Sequence, residues 1–239
     1  MSDPVNAILD AAVKAIQDHY HGFLLARTSH ELGSNVLDSL SDNVRITATV
    51  GVNVQMEPIP VSELRTFRSV YPNFVVEVFH AKLLQHWHDT TDRIFCHYVD
   101  AHISGQRPFD ELGKVMVKLD FADQTSFPEQ VRSALARDFG FWRYSDRHKL
   151  INKLRNPTGS EADAAEVTHK HVHVRNAFQH HHGILQEFPL KELGLHEITV
   201  IDDRCQPQTF KAGQKVVLSI AELDNLRRSL LLMAQTWRT

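Results

Sequence analysis

From about Asn73 to Ser104 apolar residues recur at helical spacing, at Val76, Phe79, Leu83, Trp87, Ile94 and Tyr98, with no glycine or proline among them. A stripe that long is buried most simply against other helices, so the chain is expected to be mainly α. Further helix signals flank it. Asp3 followed by Pro4 is a start signal for a helix to about Leu25, and a second, short helix is expected over His30–Leu40. Ser126-x-x-Glu129 is a capping box with Pro128 in the first turn, opening a helix that should run to about Leu154, before Asn156-Pro157. Ser160-x-x-Asp163 opens another, which Gly183 is placed to end. Glu197 to Leu218 alternates around a polar turn and predicts a β-hairpin, and Ser219-x-x-Glu222 begins a last helix with its buried stripe at Leu223, Leu226, Leu230, Met233 and Trp237. Val44–Val50 alternates as a strand, and Pro58 and Pro60 break the chain after it. The expected organisation is an N-terminal extension over 1–60, with helices and a strand or hairpin, and a helical domain over 61–239 whose β-hairpin precedes the last helix. Phe109 to Phe121 gives no clear signal and reads as loop or short strand.

The 239 residues are 42% apolar, enough for a core that needs no disulfide or metal. Cys96 and Cys205 are far apart and form no C-x-x-C pair, so neither a disulfide framework nor a thiolate metal knuckle is expected. The first residues carry no basic and apolar leader, and no apolar run approaches the roughly 18 residues of a membrane span. The expected setting is the cytoplasm, with no membrane partner. A net charge of −3 excludes the strongly basic footprint of a protein that coats duplex DNA, while leaving room for a local basic site. The glycines are too dispersed for a dinucleotide fingerprint, a phosphate-binding P-loop or a nucleophile elbow, and H-E-x-x-H is absent.

Histidine is the unusual entry, with 16 residues, six of them in the segment 169–183. Placed on a helix, with about 100° between neighbours, this segment puts Val167, Val174, Phe178 and Leu185 on one side. His169, His173, Asn176 and His180 fall on the other, and Arg175 and His182 share a third direction. A polar helix face is ordinarily a solvated one, but such faces favour Glu, Lys, Gln and Arg over the poorer helix formers His and Asn. Chemistry is one reason to choose them: imidazole exchanges protons near neutral pH, and a guanidinium grips phosphate oxygens as a planar fork.

Arg175-Asn176-x-x-x-His180 resembles the R-N-x-x-x-H signature of the HEPN superfamily (higher eukaryotes and prokaryotes nucleotide-binding). The likeness covers about residues 61–239. It implies a HEPN-like helical bundle and a metal-independent endoribonuclease of the toxin or defence type, without cofactor or metal. Cleavage would proceed by attack of the ribose 2′-OH on the adjacent phosphate, at a composite site shared by a homodimer. On that reading Arg175 stabilises the phosphate, His180 is the general acid or base, and Asn176 orients. RNA is the implied substrate, and an antitoxin or regulatory partner is a further possibility. Arg143, Arg147, Lys149, His173 and His182 are candidate RNA contacts, the first three from a basic run near a helix end. Trp142 and Tyr144 beside that run suit either the core or base stacking. The alternative function is a non-catalytic HEPN-like module that binds RNA, a nucleotide or a partner. His169 and His173 have the i, i+4 spacing of metal ligands, but no carboxylate shares their stripe. His80, His86, His88, His97 and His102 scatter around the long helix and are expected to be structural.

Overall fold

The computed structural model describes residues 3–47, 49–50, 54–110, 116–122 and 124–238. Helices dominate. α1 spans Pro4–Ser39, α2 Val61–Val70, α3 Phe74–Ile103, α4 Phe127–Phe141, α5 Tyr144–Arg155, α6 Ala162–His181, α7 Glu187–Glu192 and α8 Ile220–Thr236. Three two-stranded antiparallel ladders accompany them: β1 (Arg45–Ile46) with β4 (Ile59–Pro60), β2 (Thr49–Val50) with β3 (Val54–Gln55), and the hairpin β5 (Glu197–Ile201) with β6 (Pro207–Lys211). The fold is mainly α, with its one longer hairpin before the last helix. Most of the 109–121 segment lies outside regular structure, and residues 111–115 lie outside the described residues.

α3 is the central post. It packs against α1, α4, α5, α6 and α8. Most of its stripe is buried as the spacing predicts: Val76, Leu83, Trp87, Ile94 and Tyr98 are each 3% exposed or less, while Phe79 is only half-buried. Trp87 stacks on Trp237 of the chain's last turn at 5.1 Å between ring centroids. α8 buries Leu223, Leu226, Leu230 and Met233, and its N-cap Ser219 accepts the Glu222 amide at 2.9 Å. The hairpin pairs Glu197 with Lys211 through Ile201 with Pro207, sending Ile198 and Val200 into the core.

The N-terminal helix differs from its expected form. One continuous helix replaces the two segments, because nothing between Leu25 and His30 stops a helix. Thr28 stays in it by turning its hydroxyl back to the Leu24 carbonyl at 2.9 Å. Val5, Leu9, Ile16 and Phe23 join the same core as α3 and α8. Past Phe23 α1 buries no further side chain. There α2 braces it: Arg65 donates to the Leu37 and Leu40 carbonyls at 2.6 Å each, and Arg68 pairs with Asp38 at 2.6 Å. Arg155 of α5 ties the two ends of the chain together, donating to the Trp237 carbonyl at 2.7 Å and pairing with Asp3.

The helix expected from Ser126 to Leu154 is two helices. The capping box forms as read, but Trp142 and Arg143 are extended, with ψ of 151° and 143°. This break lets Tyr144 enter the core, where its hydroxyl accepts Trp87 Nε1–H at 3.0 Å, while Trp142 stays outside.

α6 departs furthest from its wheel. Glu161, not Ser160, is its N-cap, and it is embedded among α3, α5 and α8 rather than laid on the surface. Ala164, Thr168, His171, Val172, His173, Val174 and Ala177 are all buried, so the burial wraps around most of the helix. Val167 and Phe178 are only half-buried, and Leu185 lies beyond the helix end. The helix stops at a left-handed pair, His182 (φ 53°) and Gly183 (φ 85°). Gly183 donates back to the Ala177 carbonyl at 2.9 Å, a Schellman-type closure. A Cβ on Gly183 would meet Phe178 at 3.1 Å, so glycine is required there by both conformation and space.

Candidate functional site

The break after Phe141 opens a cleft of about 500 Å³. α3 contributes Gln85, His88 and Asp92; the α4–α5 junction contributes Trp142 to Ser145 and Arg147; α6 contributes His169, Val172, His173, Arg175 and Asn176; α7 contributes Glu192. A second depression of about 470 Å³ adjoins it and shares His173, Asn176 and Glu192. His180, His181, Gln186, Phe188 and Pro189 complete it. The two form one trough running along α6, with Asn176 at the saddle.

Arg175 stands in the larger cleft almost without partners. Its Nη2 reaches Gln85 Oε1 at 3.4 Å, and its buried Nε has no hydrogen-bond partner among the described residues. No carboxylate pairs with it among the described ion pairs. The other two arginines of the cleft are committed. Arg143, on the rim, pairs with Glu192 at 3.1 Å. Arg147 lies beneath the floor at 4% exposure, paired with Asp92, bonded to Thr91 Oγ1 at 2.8 Å and to the His88 carbonyl at 3.2 Å, and laid over Phe139 at 4.7 Å. Among the described residues, Arg175 is thus the cation of the cleft that no carboxylate neutralises.

The imidazoles around it are held neutral. His88 is pushed down to about 3, first by burial and then by the Arg147 and Arg175 charges. Its Nδ1 lies 3.1 Å from Arg147 Nη1, so Nδ1 accepts and the ring proton belongs on Nε2. His169 and His173 face each other with their Nε2 atoms 3.3 Å apart, and burial lowers both below the ordinary histidine range. For each, the Glu192 carboxylate opposes that shift. A carboxylate absent from the α6 stripe therefore reaches the same place from α7. Among the described residues, no three His, Cys, Asp or Glu side chains are grouped to hold a metal ion.

Behind the cleft, α6 is locked by a buried chain. Lys170 Nζ and His171 Nε2 lie 2.7 and 2.8 Å from Glu222 Oε1, and His171 Nδ1 lies 3.0 Å from His80 Nε2. Glu222 Oε2 accepts the Ile201 amide at 2.8 Å, which ties in the hairpin. The hydrogen bonds from His171 and Lys170 hold the Glu222 carboxyl down at about 2 against the effect of burial. With Glu222 ionised, His171 donates from Nε2 and accepts from His80 Nε2–H, which leaves a lone pair on the buried His80 Nδ1 without a partner among the described residues. Three helices, α3, α6 and α8, are fixed to one another by this chain.

The remaining candidates are dispersed. His180 is exposed and lines only the smaller depression, so Arg175 and His180 of one chain flank the Asn176 saddle without sharing a cavity. His173 is 6% exposed and serves as wall. Lys149 is exposed beside the start of α6, in a third depression with Ser160 and Asn152. His182, the left-handed cap, lines neither part of the trough. Gln85, His88, Trp142 and Glu192 join the site from other elements. Only Trp142 carried a sequence signal, as an aromatic beside a basic run. Comparison with protein-family models, with curated proteins and with solved structures yields no match for this chain.

Proposed function

We propose that this protein is a metal-independent endoribonuclease whose site is the α6 trough. The observation that carries the reading is the Arg175 guanidinium, without a carboxylate partner among the described residues, in a cleft of otherwise neutral or compensated groups, one residue from Asn176 and one and a half turns from His180. A site of that kind suits an anion such as a phosphodiester. In the reaction the 2′ oxygen bonds to phosphorus as the bond to the 5′ oxygen breaks. Arg175 holds the non-bridging oxygens as charge builds, His180 exchanges a proton with the attacking or leaving oxygen, and Asn176 orients between them. The products are a 2′,3′-cyclic phosphate and a 5′-hydroxyl.

The separation of Arg175 from His180 supports a second copy as part of the site, each protomer supplying what the other's trough lacks. The resemblance of the R-N-x-x-x-H segment extends the proposal to a cytoplasmic effector of the toxin or defence type, restrained by an antitoxin or regulatory partner. The same separation favours one other reading, a HEPN-like module that binds RNA, a nucleotide or a partner without cutting.

Incubation of the full chain with end-labelled RNA in EDTA decides between them. The nuclease reading expects cleavage with cyclic-phosphate ends. Binding of intact RNA at the same protein concentration would support the module, and cleavage that needs an added metal would overturn metal independence.

A further inference from the structure

Of the three tryptophans in the chain, Trp87 and Trp237 are fully buried and stacked on each other. Trp142 is 47% exposed, although the core entry beside it is taken by the neighbouring Tyr144. An indole is costly to leave in water, and one half-exposed on the rim of a polar cleft is suited to cover an apolar ring. The inner side of Trp142 leans on Phe139, at 5.6 Å between centroids, and its position is set by the two extended residues that end α4. In the same cleft lies Arg175, which has no carboxylate partner among the described residues. A flat π-face and a free guanidinium, lining one cavity of about 500 Å³, make a matched pair of contacts for a ring joined to a phosphate. His169 and His173 line the same cavity, and their Nδ1 atoms, outside the mutual Nε2 contact, suit hydrogen bonding to a base edge.

We propose that the cleft holds one nucleotide of single-stranded RNA, its base laid on the Trp142 indole and its phosphate on the Arg175 guanidinium. This deepens the ribonuclease reading and rests on it. Stacking of this kind tolerates any base, so Trp142 sets register and affinity at the cleft rather than a base identity.

Adenosine 3′-monophosphate and cytidine 3′-monophosphate, titrated into the full-length protein, are the probes, with inorganic phosphate and phenyl phosphate as comparisons. Because the other two tryptophans are buried, quenching of the exposed fluorescence component reports Trp142. Both nucleotides should quench it and bind about tenfold more tightly than phosphate, which should compete without quenching. By calorimetry Trp142→Ala should bring nucleotide affinity down to that of phosphate, while Trp142→Phe should keep most of it. The near-UV signal of the stacked Trp87–Trp237 pair verifies that each variant is folded. Nucleotides that bind no better than phosphate, an unchanged affinity in Trp142→Ala, or phenyl phosphate binding as tightly as a nucleotide would each overturn the base subsite. In those cases RNA cleavage with cyclic-phosphate ends leaves the ribonuclease reading standing. If neither phosphate nor nucleotide binds and RNA stays intact, both fall.

Discussion

On the proposed ribonuclease reading, Arg175→Ala should lower the rate of RNA cleavage by about 10²–10³-fold, the usual loss when one preorganised donor to a developing oxyanion is removed. The variant should keep its fold. Among the described residues Arg175 makes one long hydrogen bond, to Gln85, and no ion pair, so its removal takes little from the native state. Arg175→Lys should recover only part of the lost rate, because an ammonium supplies charge without the planar fork. His180→Ala should lose at least as much, about 10²–10⁴-fold, and His180 is exposed at the end of α6, where its removal disturbs little packing. Single-turnover cleavage of labelled RNA, with unfolding by urea run alongside, separates the two effects. Rates within threefold of wild type in both Ala variants would remove the trough from the chemistry.

A second large effect concerns stability. His88 and His148 are lowered in the folded chain, to about 3 and about 4, in both cases first by burial. Unfolded, each returns to about 6.5. A group whose folded value is depressed gives its full contribution above the unfolded value and loses it as pH falls towards the folded one. Between pH 7 and pH 5.5 each of these two histidines therefore costs the native state about 1 kcal/mol. His80 lies far below the ordinary value for the same reason, and His19, His169, His171 and His173 are lowered as well, so all shift stability the same way. Glu222, held at about 2, adds a further loss only below the ordinary carboxylate range. Urea unfolding at the two pH values measures the sum. A free energy of unfolding that is flat across that interval would contradict the neutral, buried imidazoles described above.

Those histidines also show where sequence was a good guide and where it was not. Helical periodicity revealed α3 and α8 because each presents one apolar stripe to one core, and the alternation around 197–218 revealed the hairpin for the corresponding reason. The same logic misread α6. A helix enclosed by three others needs buried polar side chains as well as apolar ones, and His171 enters the core only because Glu222 and His80, 51 and 91 residues away, satisfy both its nitrogens. Arg147 resembled a surface cation until Asp92, Thr91 and Phe139 were brought around it. No local pattern carries such pairings. The motif Arg175-Asn176-x-x-x-His180 was legible as a string, whereas its surroundings come from α3 (Gln85, His88), the α4–α5 break (Trp142) and α7 (Glu192), which no local pattern joins to α6.

The claim that Arg175 of one chain and His180 of another act on one phosphate is tested most directly by mixing two inactive proteins. Arg175→Ala and His180→Ala protomers are combined, allowed to exchange subunits, and assayed on RNA in EDTA. With a shared site, half of the dimers are mixed and each holds one intact Arg175–His180 pair, so cleavage should return to about a quarter of the wild-type rate. A mixture no more active than either variant alone, beside an active wild type, would place both groups within one chain and contradict the composite site.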